Sequence, residues 1–261
     1  MSVHVIFDII IMVIYMFNKI KSLFIKEKTS LEKKHVIVCI HGFGIRTTHQ
    51  FDNFMLWNNN DFNLYTFPIF VMENEDDCNP KVWITRCESV VENFINAGYE
   101  VDLLGFSMGG VLASHVASKY KIGRLFLIAP AFEYMTPNNV LNKTKEILKI
   151  KENINQPTLP STFTPCFIEV IKMCKESIKK VKCPVCIVHG NNDETIPYKS
   201  SINIIEQIPH DQKRLFIINK GTHHLMSDKI SGFETFLLFK NFMDKKILPE
   251  EKVIYCKDIY E

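Results

Sequence analysis

Three short stretches hold the residue types that could do chemistry: Gly105-Phe106-Ser107-Met108-Gly109, His189-Gly190-Asn191-Asn192-Asp193 and Gly221-Thr222-His223. A serine hydroxyl is a poor nucleophile until a neighbouring neutral imidazole takes its proton. Histidine titrates close enough to neutrality to accept that proton and return it. A buried carboxylate beside the imidazole fixes its tautomer and stabilises the imidazolium. The first stretch matches the G-x-S-x-G elbow, in which the serine sits on a strained strand-to-helix turn. Residues two before and two after it are small so that strand and helix can approach. Such an elbow needs two backbone N–H donors for a developing oxyanion. Met108, directly after the serine, and Phe43, in His41-Gly42-Phe43-Gly44, are the candidates. The doubled His223-His224 leaves the choice of base open at this point.

These residues need a scaffold that delivers them to one edge. Residues 36–40 form a continuous apolar run, as in a strand buried on both faces of a parallel sheet. Residues 101–104 predict the strand that feeds the elbow, and Val111-Leu112-Ala113 opens a helix whose positive N-terminus faces Ser107. Residues 63–72 predict a strand, with Pro68 marking an edge or a bulge. Asn79-Pro80 starts a helix that runs to about Ile95. Residues 124–129 and 185–188 predict further strands, 197–208 a helix, and 214–219 the last strand. Strands alternating with helices argue a doubly wound, mostly parallel α/β sheet. Ser107, Asp193 and His223 each fall just beyond the carboxyl end of a strand, on one edge of that sheet.

Residues of about 131–182 break the rhythm with four prolines and amphipathic patches near 140–150 and 167–178. They are expected to be a small cap over the site, of the kind that excludes water and shapes the substrate. Phe132, Tyr134, Met135, Phe163 and Phe167 are plausible apolar wall residues, and none is assigned. Glu73-Asn74-Glu75-Asp76-Asp77 lacks the spacing and glycine of a Ca²⁺ loop and is expected to be solvated. Cys183-Pro184-Val185-Cys186 has no second pair to complete a metal site, so these are expected to be structural thiols. No metal or organic cofactor is expected.

A chain of 261 residues, 46% hydrophobic and 23% charged, is long enough for one full core and is not a disordered polymer. A formal net charge of +2, with no basic arm, excludes nucleic acid as the expected partner. Eight scattered cysteines suit a reducing compartment. Residues 3–17 are apolar apart from His4 and Asp8, and Lys19, Lys21, Lys26 and Lys28 follow. The charge lies on the wrong side for a secretory signal, and the run is shorter than the roughly 20 residues a full span prefers. Either residues 1–25 contact a membrane or they pack on the domain. The lysine cluster favours the membrane, with the domain on the cytoplasmic side. The expected division is a hydrophobic segment and linker over 1–34, then one domain over 35–261.

From about residue 35 to 246 the chain resembles the α/β-hydrolase superfamily, and within it the carboxylesterase and monoacylglycerol-lipase-like group with a small cap. The resemblance is carried by His41-Gly42-Phe43, Gly105 to Gly110, His189 to Asp193 with Thr195-Ile196-Pro197, and Gly221-Thr222-His223. It implies Ser107 as nucleophile, His223 rather than His224 as base and acid, Asp193 orienting the imidazole, and Phe43 and Met108 as the oxyanion hole. The implied substrate is a small-molecule acyl ester. Thioesters, amides and C–C bonds are alternatives on the same residues, as is a membrane-tethered binding module without turnover. One departure concerns substrate class: the acidic loop 73–77 stands where many relatives carry a Gly-rich loop.

Overall fold

The computed structural model describes residues 34–44, 47–134, 159–245 and 250–256, without the side chains of 229 and 230. The segment 1–33 and the stretch 135–158, with Met135 and the patch near 140–150, lie outside the described residues.

The apolar runs become strands β1 (His35–Ile40), β2 (Leu64–Thr66), β3 (Glu100–Phe106), β4 (Leu125–Ile128), β5 (Val185–Gly190), β6 (Lys213–Ile218) and β7 (Val253–Cys256). They form one sheet in the order β2-β1-β3-β4-β5-β6-β7, and every pairing is parallel. The chain steps from β1 outward to β2 and then back across β1 to β3. The loops after β1 and β3 therefore diverge at a switch point, where open α/β sheets form their ligand crevice.

Two strand expectations are corrected. Residues 213–218 are not the last strand, because Val253-Ile254-Tyr255-Cys256 adds a further edge beside β6. The strand expected over 63–72 is only Leu64–Thr66. Pro68 has no N–H for the ladder, and the Ile69 N–H donates to His41 Nε2 at 2.9 Å instead of to a strand.

Helices cover both faces. They are α1 (Asp52–Asn58), preceded by a 3-10 turn (Thr47–Phe51), α2 (Pro80–Asn96), α3 (Met108–Lys119), α4 (Phe163–Cys174), α5 (Lys199–Gln207) and α6 (Lys229–Met243). Asn79 caps α2, its Oδ1 accepting the N–H groups of Lys81 and Val82, with Pro80 in the first turn, where its missing N–H costs nothing. Alternate residues of β1 point to opposite cores. Val36, Val38 and Ile40 join Trp83, Val111 and Phe163, whereas Ile37 and Cys39 join Phe54, Phe239 and Phe242. Fully burying such an aromatic side chain contributes about 2–3 kcal/mol. Within the segment expected to be the cap, α4 buries Phe163, Cys166, Phe167, Val170, Ile171 and Cys174 and packs against α2 and α3.

The acidic loop divides in two. Glu73, Glu75 and Asp76 are exposed as expected, but Asp77 is buried. Its Oδ2 accepts from the Val71 N–H at 2.8 Å and from Arg86 Nη1 at 2.6 Å, so it ties the loop to α2. All eight cysteines are free thiols. Cys183 and Cys186 are buried, and burial pushes the Cys183 thiol up to about 12. Neither is poised to react at neutral pH.

Candidate active site

The elbow is built by close approach of backbone. A Cβ on Gly109 would lie 2.0 Å from the Ile40 carbonyl oxygen, and one on Gly105 would lie 2.6 Å from the Gly109 carbonyl oxygen. Only glycine lets α3 start this close to β1 and β3. Between them Ser107 has φ 52° and ψ −118°, an uncommon conformation for a residue with a side chain. The turn is pinned by the Ser107 N–H donating to the Ile128 carbonyl on the neighbouring strand at 2.9 Å.

Asp193 follows β5 and His223 follows β6. The two loops are laced together independently of those side chains. The Asn192 N–H donates to the Gly221 carbonyl at 2.9 Å, and the Lys220 N–H donates to Asn191 Oδ1 at 2.7 Å. Gly190 sits where a Cβ would be 2.1 Å from the Gly221 carbonyl oxygen. On this frame His223 Nδ1 lies 2.8 Å from Asp193 Oδ2, and His223 Nε2 lies 3.2 Å from Ser107 Oγ. The carboxylate is acceptor only, so Nδ1 carries the proton and Nε2 is free to accept one from the serine. Ser107 and His223 are buried, and the Asp193 side chain is fully so. His224 is exposed, and its N–H donates to Thr222 Oγ1. The histidine lying between Ser107 and Asp193 is thus His223.

Burial by itself would raise the Asp193 carboxyl. The hydrogen bonds from His189 and His223 outweigh it and hold the group well below the usual carboxylate range. Two backbone N–H groups, of Thr195 at 2.8 Å and Ile196 at 2.7 Å, also donate to Oδ1.

The loop after β1 lies against the elbow, since a Cβ on Gly42 would be 3.0 Å from that of Ser107. Two side chains hold this loop: Gln50, which the sequence does not single out, and His41, which it places in the loop motif without a role of its own. His41 is fully buried. Its Nε2 accepts the Ile69 N–H, so Nδ1 carries the proton and donates to the Gly42 carbonyl at 2.8 Å. Burial pushes His41 down to about 4, against a smaller upward pull from that bond, so it stays neutral at physiological pH. Gln50, in the 3-10 turn, accepts the Gly42 N–H on Oε1 at 2.8 Å and donates through Nε2 to the Gly42 carbonyl at 3.4 Å. Carbonyl and N–H point opposite ways across a trans peptide. Fixing the Gly42 carbonyl therefore also fixes the direction of the Phe43 N–H, the expected oxyanion donor. The Phe43 ring stacks on Phe167 of α4 at 4.8 Å, which ties the same loop to the second helical layer. Met108, the other expected donor, is the buried first residue of α3. Gln50→Ala is expected to lower kcat for an ester by about tenfold or more, part of the effect of removing one oxyanion donor outright. KM and the melting temperature should change little, and steady-state kinetics with a thermal melt checks this.

The backbone is shared with solved structures. It matches a soluble variant of monoglyceride lipase from Saccharomyces cerevisiae with a TM-score of 0.66 at 19% identity, over 85% of this chain and 90% of that one. It matches the monoacylglycerol lipase of Paleococcus ferrophilus with a TM-score of 0.61 at 16% identity, over 80% and 93%. The chain has the α/β-hydrolase fold. A family model described as serine aminopeptidase, S33, matches residues 148–230, a stretch that contains Asp193 and His223. The palmitoyl-protein thioesterase ABHD10, mitochondrial, of Bos taurus is 26% identical over 167 residues, 60% of this chain and 54% of the relative. The match thus spans about half the length of that curated relative. Among the described residues no helix is long and apolar enough to cross a membrane.

Proposed function

We propose that this α/β-hydrolase cleaves carboxylic esters through an acyl-enzyme on Ser107, with His223 as base and then acid and Asp193 orienting it. The observation that carries this is the unbroken hydrogen-bonded chain from Ser107 Oγ through His223 to Asp193. In the proposed sequence His223 Nε2 takes the serine proton as Oγ bonds to the carbonyl carbon. The Phe43 and Met108 N–H groups receive the oxyanion, worth about 3 kcal/mol each. Collapse breaks the bond to the alcohol oxygen, which leaves with the proton from Nε2. Water then repeats the cycle on the acyl-serine and restores Ser107.

Monoacylglycerols and lysophospholipids are the substrates we favour. The architecture is that of two monoacylglycerol lipases, and the apolar, lysine-flanked segment 1–34 suits work at a lipid surface. On this proposal residues 35–261 form the hydrolase domain, with a cap over about 131–182, on the cytoplasmic side of the membrane that residues 1–25 contact. A second reading, a thioesterase, is favoured by the curated relative of Bos taurus, whose name is that of a palmitoyl-protein thioesterase. The two differ only in whether the leaving atom is oxygen or sulfur.

The test uses the full chain. A fluorophosphonate should label Ser107, and p-nitrophenyl esters of graded chain length should be turned over, with activity moving to the vesicle fraction when phospholipid vesicles are added. Acyl thioesters assayed in parallel decide between the two leaving groups by the ratio of kcat/KM. A folded protein that neither labels nor turns over any of them would overturn the proposal and favour a binding module.

A further inference from the structure

Asp193 carries a second histidine that the acyl-transfer scheme does not use. His189, the penultimate residue of β5, is fully buried. Its Nε2 lies 3.1 Å from Asp193 Oδ2 and 3.0 Å from the Ile196 carbonyl oxygen. Both partners are acceptors only, so Nε2 carries a proton in either charge state of the ring. Its Nδ1 lies 2.7 Å from the hydroxyl of Ser201 in α5, which is itself fully buried. Asp193 Oδ2 is thus shared by two imidazole N–H groups, and Oδ1 by two backbone N–H groups. Four donors fill the four lone-pair directions of the carboxylate.

We propose that His189 is a positioning residue: it holds Asp193 anionic and divides the charge of Oδ2, so that His223 receives only a share of it. The proposal rests on the hydrolase reading for its kinetic consequence but not for its structural one. A hydrogen bond to a carboxylate stabilises the anion and weakens it as an acceptor for any other donor. With His189 in place the Asp193–His223 bond is strong enough to orient the ring, but it does not hold the imidazolium so firmly that the proton is slow to leave. Without His189 the whole of Oδ2 faces His223 Nδ1. Ser201 matters at one remove, because it anchors the ring of His189 to α5. Among the described residues, the other titratable groups beside the pair are Glu194, whose Oε2 accepts the His223 backbone N–H at 3.4 Å, and His224, whose ring centroid is 5.8 Å from that of His223. Neither bonds Oδ2, so they do not replace His189.

The experiment compares full-length wild type, His189→Leu and His189→Gln by proton NMR and by the pH profile of kcat/KM. In the wild type two hydrogen-bonded imidazole N–H protons should resonate far downfield, His189 Nε2–H and His223 Nδ1–H. His189→Leu should remove one and move the other further downfield. It should also shift the acid limb of the profile to higher pH, by about half a unit to one unit. A Gln amide reaches about as far as imidazole Nε2 and donates there, so His189→Gln should return the remaining signal and the acid limb most of the way to wild type. A packing role alone would lower stability without moving either readout. An unmoved second signal and superimposable profiles in His189→Leu would overturn the proposal. So would a His189→Gln protein that shows a displaced signal and limb like those expected of Leu, and this keeps the test decisive if His189→Leu does not fold. If no substrate is turned over, the hydrolase reading fails by itself, and the NMR comparison still decides the role of His189.

Discussion

Ser107→Ala is expected to remove turnover almost completely, with a fall in kcat on the order of 10⁵-fold or more, the scale on which hydrolases with a serine, histidine and aspartate lose rate when the nucleophile is deleted. The oxygen lost is the atom 3.2 Å from His223 Nε2, and no other described hydroxyl bonds that nitrogen. Any residual rate would come from the oxyanion donors and from binding, which are untouched by the change. KM should stay near its wild-type value, because the hydroxyl contributes to the reaction and little to ground-state binding. The fold should hold within about 0.5–1 kcal/mol, since alanine keeps the same β-carbon and the same backbone conformation. Kinetics on a p-nitrophenyl ester, with fluorophosphonate labelling and a thermal melt on the same protein, checks all three. Substantial retained turnover would remove Ser107 from the mechanism.

Asp193→Asn is expected to lower kcat by about 10⁴-fold through the tautomer of a different residue. All four partners of the carboxylate are donors: the N–H groups of Thr195 and Ile196 on Oδ1, and the imidazoles of His189 and His223 on Oδ2. An asparagine amide has one oxygen and one NH₂ group, so either way round it opposes a donor with a donor. If the NH₂ takes the Oδ1 place, it faces two fixed backbone N–H groups. If it takes the Oδ2 place, His223 must present a bare Nδ1 and carry its proton on Nε2, where it can no longer take one from Ser107. The second arrangement costs less in structure, because a ring proton moves more easily than a backbone. It is also the inactive one. Setting the NH₂ against the His189 Nε2–H, which then keeps only the Ile196 carbonyl as acceptor, should cost a further ~1–3 kcal/mol of stability. Activity should not recover at high pH, as it would if only a charge had been lost. Recovery to within about tenfold of wild type would show that orientation by Asp193 is dispensable.

The parts of the site that were legible in sequence are those fixed by local geometry. The glycines at 105 and 109 announce a tight turn by themselves, and Ser107, Asp193 and His223 each follow a run apolar enough to be read as a strand. What bound those residues to one another was not local. Gln50 reaches Gly42 from a 3-10 turn with no periodic signal. His189 reads as the last apolar-strand position before a glycine until Asp193 and Ser201 are seen on either side of it. A signal was nevertheless present, because His41-Gly42 and His189-Gly190 repeat the same pair at the ends of two strands, and in both the histidine braces the loop that follows. Asp77 reads as solvated in sequence because its partner Arg86 lies nine residues away on α2. The short β7 gives no sequence signal because four residues carry little pattern, and its place beside β6 depends on pairing rather than on sequence. Helix α6 gives a weak amphipathic signal for a similar reason. Phe236, Phe239 and Phe242 face the core while Phe233 and Leu237 are about half exposed, so apolar residues surround much of it.

The backbone of Ser107 bears on why the residue is there at all. At φ 52° and ψ −118° any side chain is unfavourable, by on the order of 1 kcal/mol or more, and glycine would hold the same turn without that strain. Selection for a stable scaffold alone would therefore favour glycine at this position, and a lineage that kept the fold only to bind something would gain from losing the serine. A serine kept where glycine would hold the turn at less cost is what the proposed role of Ser107 as nucleophile calls for.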